Sequence, residues 1–204
     1  NYFKYNFLKT TGVDFQEDRL EDEFELLADV LLDKTINASL PFATFMYRDF
    51  QSRNVMLRHG KPYFIDFQGG RQGPLYYDLT SFLWQARANF SPALREELIE
   101  LYLDAINEAL LAEQTEVKPL DKAHFRSQLR HFVLFRLLQV LGAYGFRGYF
   151  ERKAHFLQSI PYAISSLKEL LQDGFEEYPY LAEVLMQLCN QWDDLSVVAP
   201  QPTA

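Results

Sequence analysis

Phe45 to Gly70 reads FMYRDFQSRNVMLRHGKPYFIDFQGG, and the fold turns on how its polar side chains are spaced. Short aromatic and β-branched runs at Ala43–Tyr47, Asn54–Leu57 and Pro62–Phe67 predict strands, and His59-Gly60 predicts a tight turn between the last two. Asp49, Asn54 and Asp66 then fall at strand ends. Side chains there are exposed by loops while the scaffold holds them in place.

Outward from this stretch the periodicity is helical. Leu20, Phe24, Leu27 and Leu31 recur at i, i+4, i+7 and i+11 and predict an amphipathic helix with an acidic outer face. Asp78 to Ala88 predicts a helix with Asp78 as its N-cap. Ser91-Pro92 supplies a cap and a first-turn proline for a helix through about Leu111. Another begins near Pro119 and Asp121, and its Phe132–Leu141 part is apolar on nearly all sides, the pattern of a buried helix. Further helices are predicted over Lys153–Leu171, with Pro161 as a kink, and over Tyr178–Cys189. The fold class is therefore α+β and mainly helical, with one small β-hairpin.

Composition narrows the function. With 204 residues, 48% of them hydrophobic, the chain can build a core without staples. A net charge of −8 gives no basic footprint for a nucleic acid. One cysteine, Cys189, excludes an internal disulfide and suits a reducing cytoplasm. No run reaches the ~20 apolar residues that a membrane span needs. The chain opens on Asn1 and an aromatic run, NYFKYNFLK, and closes on VVAPQPTA, which reads as a linker. We expect a piece of something longer, with a globular body over residues 1–172 and a terminal helix and linker over 173–204.

Asp49, four intervening residues, Asn54, and then Asp66 on the next strand suit a metal-bound nucleotide. Mg²⁺ takes a few protein oxygens and completes its shell with phosphate and water. An Asn carbonyl and a carboxylate from neighbouring strands can serve it, which leaves Asp49 to accept a proton from a substrate hydroxyl.

These residues also carry a resemblance. YRDFQSRN is similar to the kinase catalytic loop H-R-D-x-x-x-x-N, and IDFQ to D-F-G. With GPLYYDLTSFL downstream, the chain resembles the C-terminal lobe of the aminoglycoside phosphotransferase and choline kinase family. Within that family it is most similar to bacterial kinases that phosphorylate the anomeric hydroxyl of N-acetylmuramate or N-acetylglucosamine. The match covers about Phe45 to Arg87. The resemblance implies a kinase-like C-terminal lobe acting on a small molecule with ATP and Mg²⁺. It makes Asp49 the catalytic base, Asn54 and Asp66 the metal and nucleotide ligands, and Asp78 a support beneath the loop. Two positions depart from the pattern: Tyr47 stands for His, whose role is scaffolding, and Gln68 stands for Gly or an acid.

A protein kinase would carry a long activation segment ending in A-P-E. Here Gly73-Pro74 and a helix follow Asp66 almost at once. The chain also has no G-x-G-x-x-G and no lysine in a V-A-I-K-like strand. The resemblance places those parts in an N-terminal lobe preceding Asn1, so this chain alone is expected to be catalytically incomplete. Two other readings stand beside it: a non-catalytic kinase-fold scaffold or regulator, and a kinase of an aminoglycoside or choline-like amine.

The remaining polar features read as structural. Arg48, Arg53 and Arg71 suit local pairing. His124 and His131 lie on one helix face without the H-E-x-x-H pattern of a metal site. Gly142–Lys153, GAYGFRGYFERK, reads equally as an aromatic wall for a sugar and as a tight connection between helices. The aromatic run Tyr2–Phe7 reads as core.

Overall fold

Aromatic packing sets the frame around the Phe45–Gly70 stretch. The computed structural model of the chain describes residues 2–32, 44–112 and 118–198, with the backbone alone over 193–198. A π-helical segment, Lys4–Leu8, runs into α1 (Lys9–Thr11), followed by α2 (Glu17–Leu32). Four short strands come next: β1 (Thr44–Met46), β2 (Val55–Arg58), β3 (Lys61–Phe64) and β4 (Arg71–Gly73). Then come α3 (Tyr76–Leu83), α4 (Pro92–Ala112), α5 (Lys122–Gly145), α6 (Ala154–Leu157), α7 (Ile160–Leu171) and α8 (Pro179–Val198). The described chain is thus mainly helical, as expected.

It divides into two compact units, residues 31–136 and residues 1–30 with 137–204. The first holds all four strands. β2 and β3 form the expected hairpin, with Val55 opposite Phe64 and Arg58 opposite Lys61. His59 and Gly60 turn it, both with positive φ. A second antiparallel pair was not foreseen: β1 joins β4, with Phe45 opposite Gln72. Gly70 lets β4 approach, because a Cβ there would lie 2.6 Å from the Phe45 ring. The first residue of the predicted opening strand, Ala43, lies outside the described residues, as does most of the C-terminal linker.

Helix α3 begins two residues before Asp78 and ends at Leu83, so it is shorter than predicted and Asp78 is not its cap. Tyr76 anchors it. Its ring is buried 5.0 Å from those of both Phe125 and Phe132 on α5, and this burial pushes the phenol up to about 12. One residue before the helix, the Leu75 carbonyl accepts the Tyr102 hydroxyl at 2.7 Å. The starts of the two long helices are as predicted. Ser91 Oγ accepts the Leu94 N–H, ahead of Pro92 at the start of α4. Asp121 Oδ1 accepts the His124 N–H at the start of α5.

In the other unit, Ile160, Ala163, Ile164, Leu167 and Leu171 form the buried face of α7, which packs against α8, where Leu181, Leu185 and Leu188 are also buried. The single predicted helix over Lys153–Leu171 is two helices. Pro161 does not kink it but sits in the first turn of α7, where a missing N–H costs nothing. The N-terminal aromatic run is helical and partly core: Phe3 and Phe7 are buried, whereas Tyr2 and Tyr5 are about half exposed.

Candidate functional site

The loop after β1 is held at its entrance by a single carboxylate. Asp78 Oδ2 accepts the Tyr47 N–H at 2.5 Å and Oδ1 the Arg48 N–H at 2.9 Å. Arg48 has φ of 76°, a left-handed conformation that a non-glycine residue adopts only when its surroundings enforce it. The two bonds to Asp78 supply that constraint. Burial raises the Asp78 carboxyl above the ordinary value, while the two N–H donors and the Arg136 charge act in the opposite direction.

Within the loop, Asn54 turns back on the start. It is buried, and its Nδ2 donates to the Asp49 carbonyl at 2.9 Å. This commits the nitrogen of the amide and leaves Oδ1 as its acceptor atom. A 3₁₀ turn over Ser52–Asn54 carries the chain into β2, closed by the Asn54 N–H on the Gln51 carbonyl at 2.9 Å. Gln85, just beyond α3, grips the same turn from outside. Its Oε1 accepts the Ser52 N–H at 2.9 Å and the Ser52 hydroxyl at 3.0 Å.

Asp66 arrives on the far side of the hairpin. The Ile65 N–H donates to the Asn54 carbonyl at 3.1 Å, one step beyond the β2–β3 ladder. The Tyr47 hydroxyl donates to the Ile65 carbonyl. Asp66 itself has φ of 68°, so both acid-bearing segments pass through the left-handed region. Its carboxylate is exposed, with Oδ1 accepting Gln68 Nε2 at 2.7 Å. The Tyr47 phenol is raised above its ordinary value by burial first, then by the charges of Asp66, Asp49 and Asp78.

The sequence-predicted residues therefore gather on one framework: Asp49 exposed at the loop, Asn54 bonded to its carbonyl, Asp66 one residue past the Asn54 contact, and Asp78 beneath. Arg48 pairs locally, its Nη1 donating to the Gly69 carbonyl at 3.3 Å. Sequence reasoning missed Gln85, for which no motif exists, and discounted Tyr47, whose hydroxyl keeps a bond to the second acid segment. The positive φ at Asp66 had a faint signal, since Asp tolerates that conformation better than most residues.

Asn54 and Asp66, the ligands that the sequence suggested, would each offer a hard oxygen, an amide and a carboxylate. That suits Mg²⁺, which is commonly held by one or two carboxylates together with phosphate and water. Among the described residues no group of three or more His, Cys, Asp and Glu comes together to hold a metal ion. His131 is buried and His124 exposed. Gly142–Lys153 lies in the other unit. It forms the end of α5 and a π-helical segment, Phe146–Phe150, with the Phe146 and Phe150 rings stacked 5.9 Å apart. No helix among the described residues is long and apolar enough to cross a membrane.

Comparison with known proteins covers the same stretch of the chain. The family described as "Phosphotransferase enzyme family" matches residues 9–114, just over half of the chain and the part that holds the whole framework. Over 140 residues the chain is 28% identical to the N-acetylmuramate/N-acetylglucosamine kinase of Neisseria meningitidis serogroup B. That alignment covers 68% of this chain and 40% of the relative, so the chain spans well under half the length of the protein it matches.

Proposed function

The chain belongs to the phosphotransferase enzyme family, and from that premise we propose that it carries the catalytic part of an ATP- and Mg²⁺-dependent kinase of a sugar or amino-sugar hydroxyl. The observation that carries the reading is the bonding of the Asp49–Asn54 loop to the Ile65–Asp66 turn. It holds a proton acceptor and two hard oxygen donors on one frame. The similarity to a kinase of N-acetylmuramate and N-acetylglucosamine supports the substrate class.

In this reading the Asp49 carboxylate accepts the proton of the substrate hydroxyl as that oxygen bonds to the terminal phosphorus of ATP. The bond from phosphorus to the bridging oxygen breaks, and ADP leaves. Asn54 Oδ1 and Asp66 would hold Mg²⁺, which would supply neutralisation of the phosphate charge that such transfers must spread. Asp78 and Asn54 keep Asp49 in place, so that little reorganisation accompanies proton transfer.

The rest of the machinery, a phosphate-covering loop and a strand lysine, belongs in this reading to a further lobe of the full-length protein. The hairpin offers it a surface: Met56, Leu57, Tyr63 and Phe64 are all about half exposed or more, Leu57 reaching 77%. Exposed apolar groups of that density mark contact sites. In this reading the protein works in the cytoplasm, as its single cysteine allows.

The test is phosphate transfer by the full-length protein from ATP with Mg²⁺ to N-acetylmuramate, N-acetylglucosamine, aminoglycosides and choline. Transfer to the amino sugars is expected. Preference for choline or an aminoglycoside would replace the substrate class, and nucleotide binding with no transfer to any acceptor would favour a scaffold.

A further inference from the structure

The turn that follows Asp49 is tied to Gln85 through a single peptide group. Gln85 lies two residues past the end of α3. Its Oε1 accepts the Ser52 N–H at 2.9 Å and the Ser52 hydroxyl at 3.0 Å. That N–H and the Gln51 carbonyl are the two ends of one peptide unit, and the carbonyl accepts the Asn54 N–H at 2.9 Å. Asn54 Nδ2 in turn donates to the Asp49 carbonyl at 2.9 Å. From this chain of bonds we propose that Gln85 is a positioning residue: by fixing the 51–52 peptide it fixes the backbone of Asn54 and, through Asn54, the place of Asp49.

Gln85 is itself held in the orientation that this requires. Its Nε2 donates to the Phe82 carbonyl at 2.7 Å, which leaves Oε1 for the loop. Its own carbonyl accepts the N–H groups of Ala88 at 3.1 Å and Asn89 at 3.3 Å, so the backbone beneath the side chain is closed into a turn. The Phe82 ring lies 5.1 Å from that of Phe50, so the same stretch also packs against the loop between Asp49 and Ser52. Residues 49–51 have no regular secondary structure. Asp78 holds the loop where it begins, at Tyr47 and Arg48, and Gln85 holds it where it ends. Without the second anchor the 51–52 peptide can turn to water, and its carbonyl no longer fixes Asn54. Groups bonded in series depend on one another, and proton transfer is sensitive to small misplacement of the acceptor.

The proposal rests on the reading of Asp49 as the proton acceptor, and its test separates the two. Gln85→Met keeps the length and removes the acceptor oxygen; Gln85→Glu keeps an oxygen able to accept both Ser52 hydrogens. Ser52→Ala removes only the hydroxyl contact and is the milder variant. In the full-length protein, turnover, acceptor KM, urea unfolding and the amide exchange of Ser52 and Asn54 are measured for each. Gln85→Met is expected to lower turnover by roughly 3- to 10-fold, the factor carried by one hydrogen bond, with acceptor KM little changed. Exchange should quicken at Ser52 and also at Asn54, one bond further along. Ser52→Ala should show the same pattern at smaller size, and Gln85→Glu should recover most of both effects. A merely structural glutamine would lower the urea midpoint and leave turnover and Asn54 exchange as in wild type, which would overturn the proposal. Faster exchange confined to Ser52 would overturn it too. If the full-length protein transfers no phosphate to any acceptor, the kinase reading falls and Gln85 is judged on exchange alone. Faster exchange at Asn54 in Gln85→Met, recovered by Glu, then upholds the proposal, and unchanged exchange there overturns it.

Discussion

Asp78 Oδ1 accepts the backbone N–H of Arg48 at 2.9 Å, across thirty residues of sequence. The bond joins a helix anchored by buried aromatic rings to a loop residue in a left-handed conformation. Through it, packing of Tyr76 on α5 is converted into the position of Asp49, one residue further on. The Asp49 loop is thus tied to helix α3 as well as to the hairpin segment.

Replacing Asp78 by Asn turns one acceptor oxygen into an NH₂ group facing a backbone N–H. We expect a loss of about 1–3 kcal/mol, the cost of an unsatisfied donor and a lost charge-assisted bond. The pH dependence has a definite sign. Burial raises the Asp78 carboxyl above its ordinary 3.8, so the folded state takes up its proton before the unfolded state does. Stability drawn from Asp78 therefore falls as pH rises through the raised value. The advantage of wild type over the variant, from urea unfolding, should be larger near pH 4 than at pH 7. A gap that widens with pH would contradict the raised value.

Lys4 supplies a second titration. Its side chain is 1% exposed and its ammonium is shared between Glu17 and Glu21. The Glu21 bond is the largest cause of its raised pKa, and bonds from Lys9 and Lys4 lower that of Glu17. The Lys4 contribution is present below its ordinary 10.5 and is lost as pH climbs through the raised value. The Glu17 contribution is present above 4.5 and is lost as pH falls towards the lowered value. Because both carboxylates reach water, Lys4→Met should cost within about 1 kcal/mol. Lys4→Ala, which empties the buried volume, should cost about 2–3 kcal/mol. Thermal melts from pH 3 to 11 read both, and the methionine variant should show the flatter profile at each end.

Gly145 is a packing requirement at the end of α5. A Cβ there would collide with the Asn6 carbonyl oxygen and approach Phe7 Cα to 3.1 Å, both of them backbone atoms that cannot rotate away. Gly145→Ala should destabilise by about 2–3 kcal/mol. Gly60→Ala has open space around it but φ of 74°, and should cost about 1 kcal/mol from strain alone. The larger loss at Gly145, read from denaturant midpoints, checks that steric contact outweighs backbone conformation.

Local signals in the sequence were read correctly, and those set by distant contacts were not. The hairpin was legible because its alternating runs and His59-Gly60 turn are local. The long helices were legible because Ser91, Pro92 and Asp121 are start signals within the segments they open. Strand β4, Arg71-Gln72-Gly73, has no pattern of its own; pairing with β1 makes it a strand. Asp78 looked like a cap because an acid preceded an apolar run. Tyr76 had already begun the helix by packing on α5, which freed the carboxylate for Tyr47 and Arg48. Of the site, the spacing of Asp49, Asn54 and Asp66 was visible. The Tyr47 hydroxyl bond to Ile65, the grip of Gln85 and the positive φ at Arg48 and Asp66 depend on neighbours that sequence spacing does not reveal.

The central claim is that Asp49 and Asp66 do different work on one framework. It is tested most directly by titrating Mg²⁺ against Asp49→Asn and Asp66→Asn in the full-length protein, with N-acetylmuramate or N-acetylglucosamine as acceptor. Asp49→Asn keeps the shape and removes the proton acceptor, so turnover should fall by roughly 10²–10⁴ with the Mg²⁺ midpoint and nucleotide affinity unchanged. Asp66→Asn would remove a charge from the proposed metal site, so its loss of rate should come with a midpoint shifted to higher Mg²⁺. Equal, modest losses in both variants with an unaltered Mg²⁺ midpoint would contradict the account.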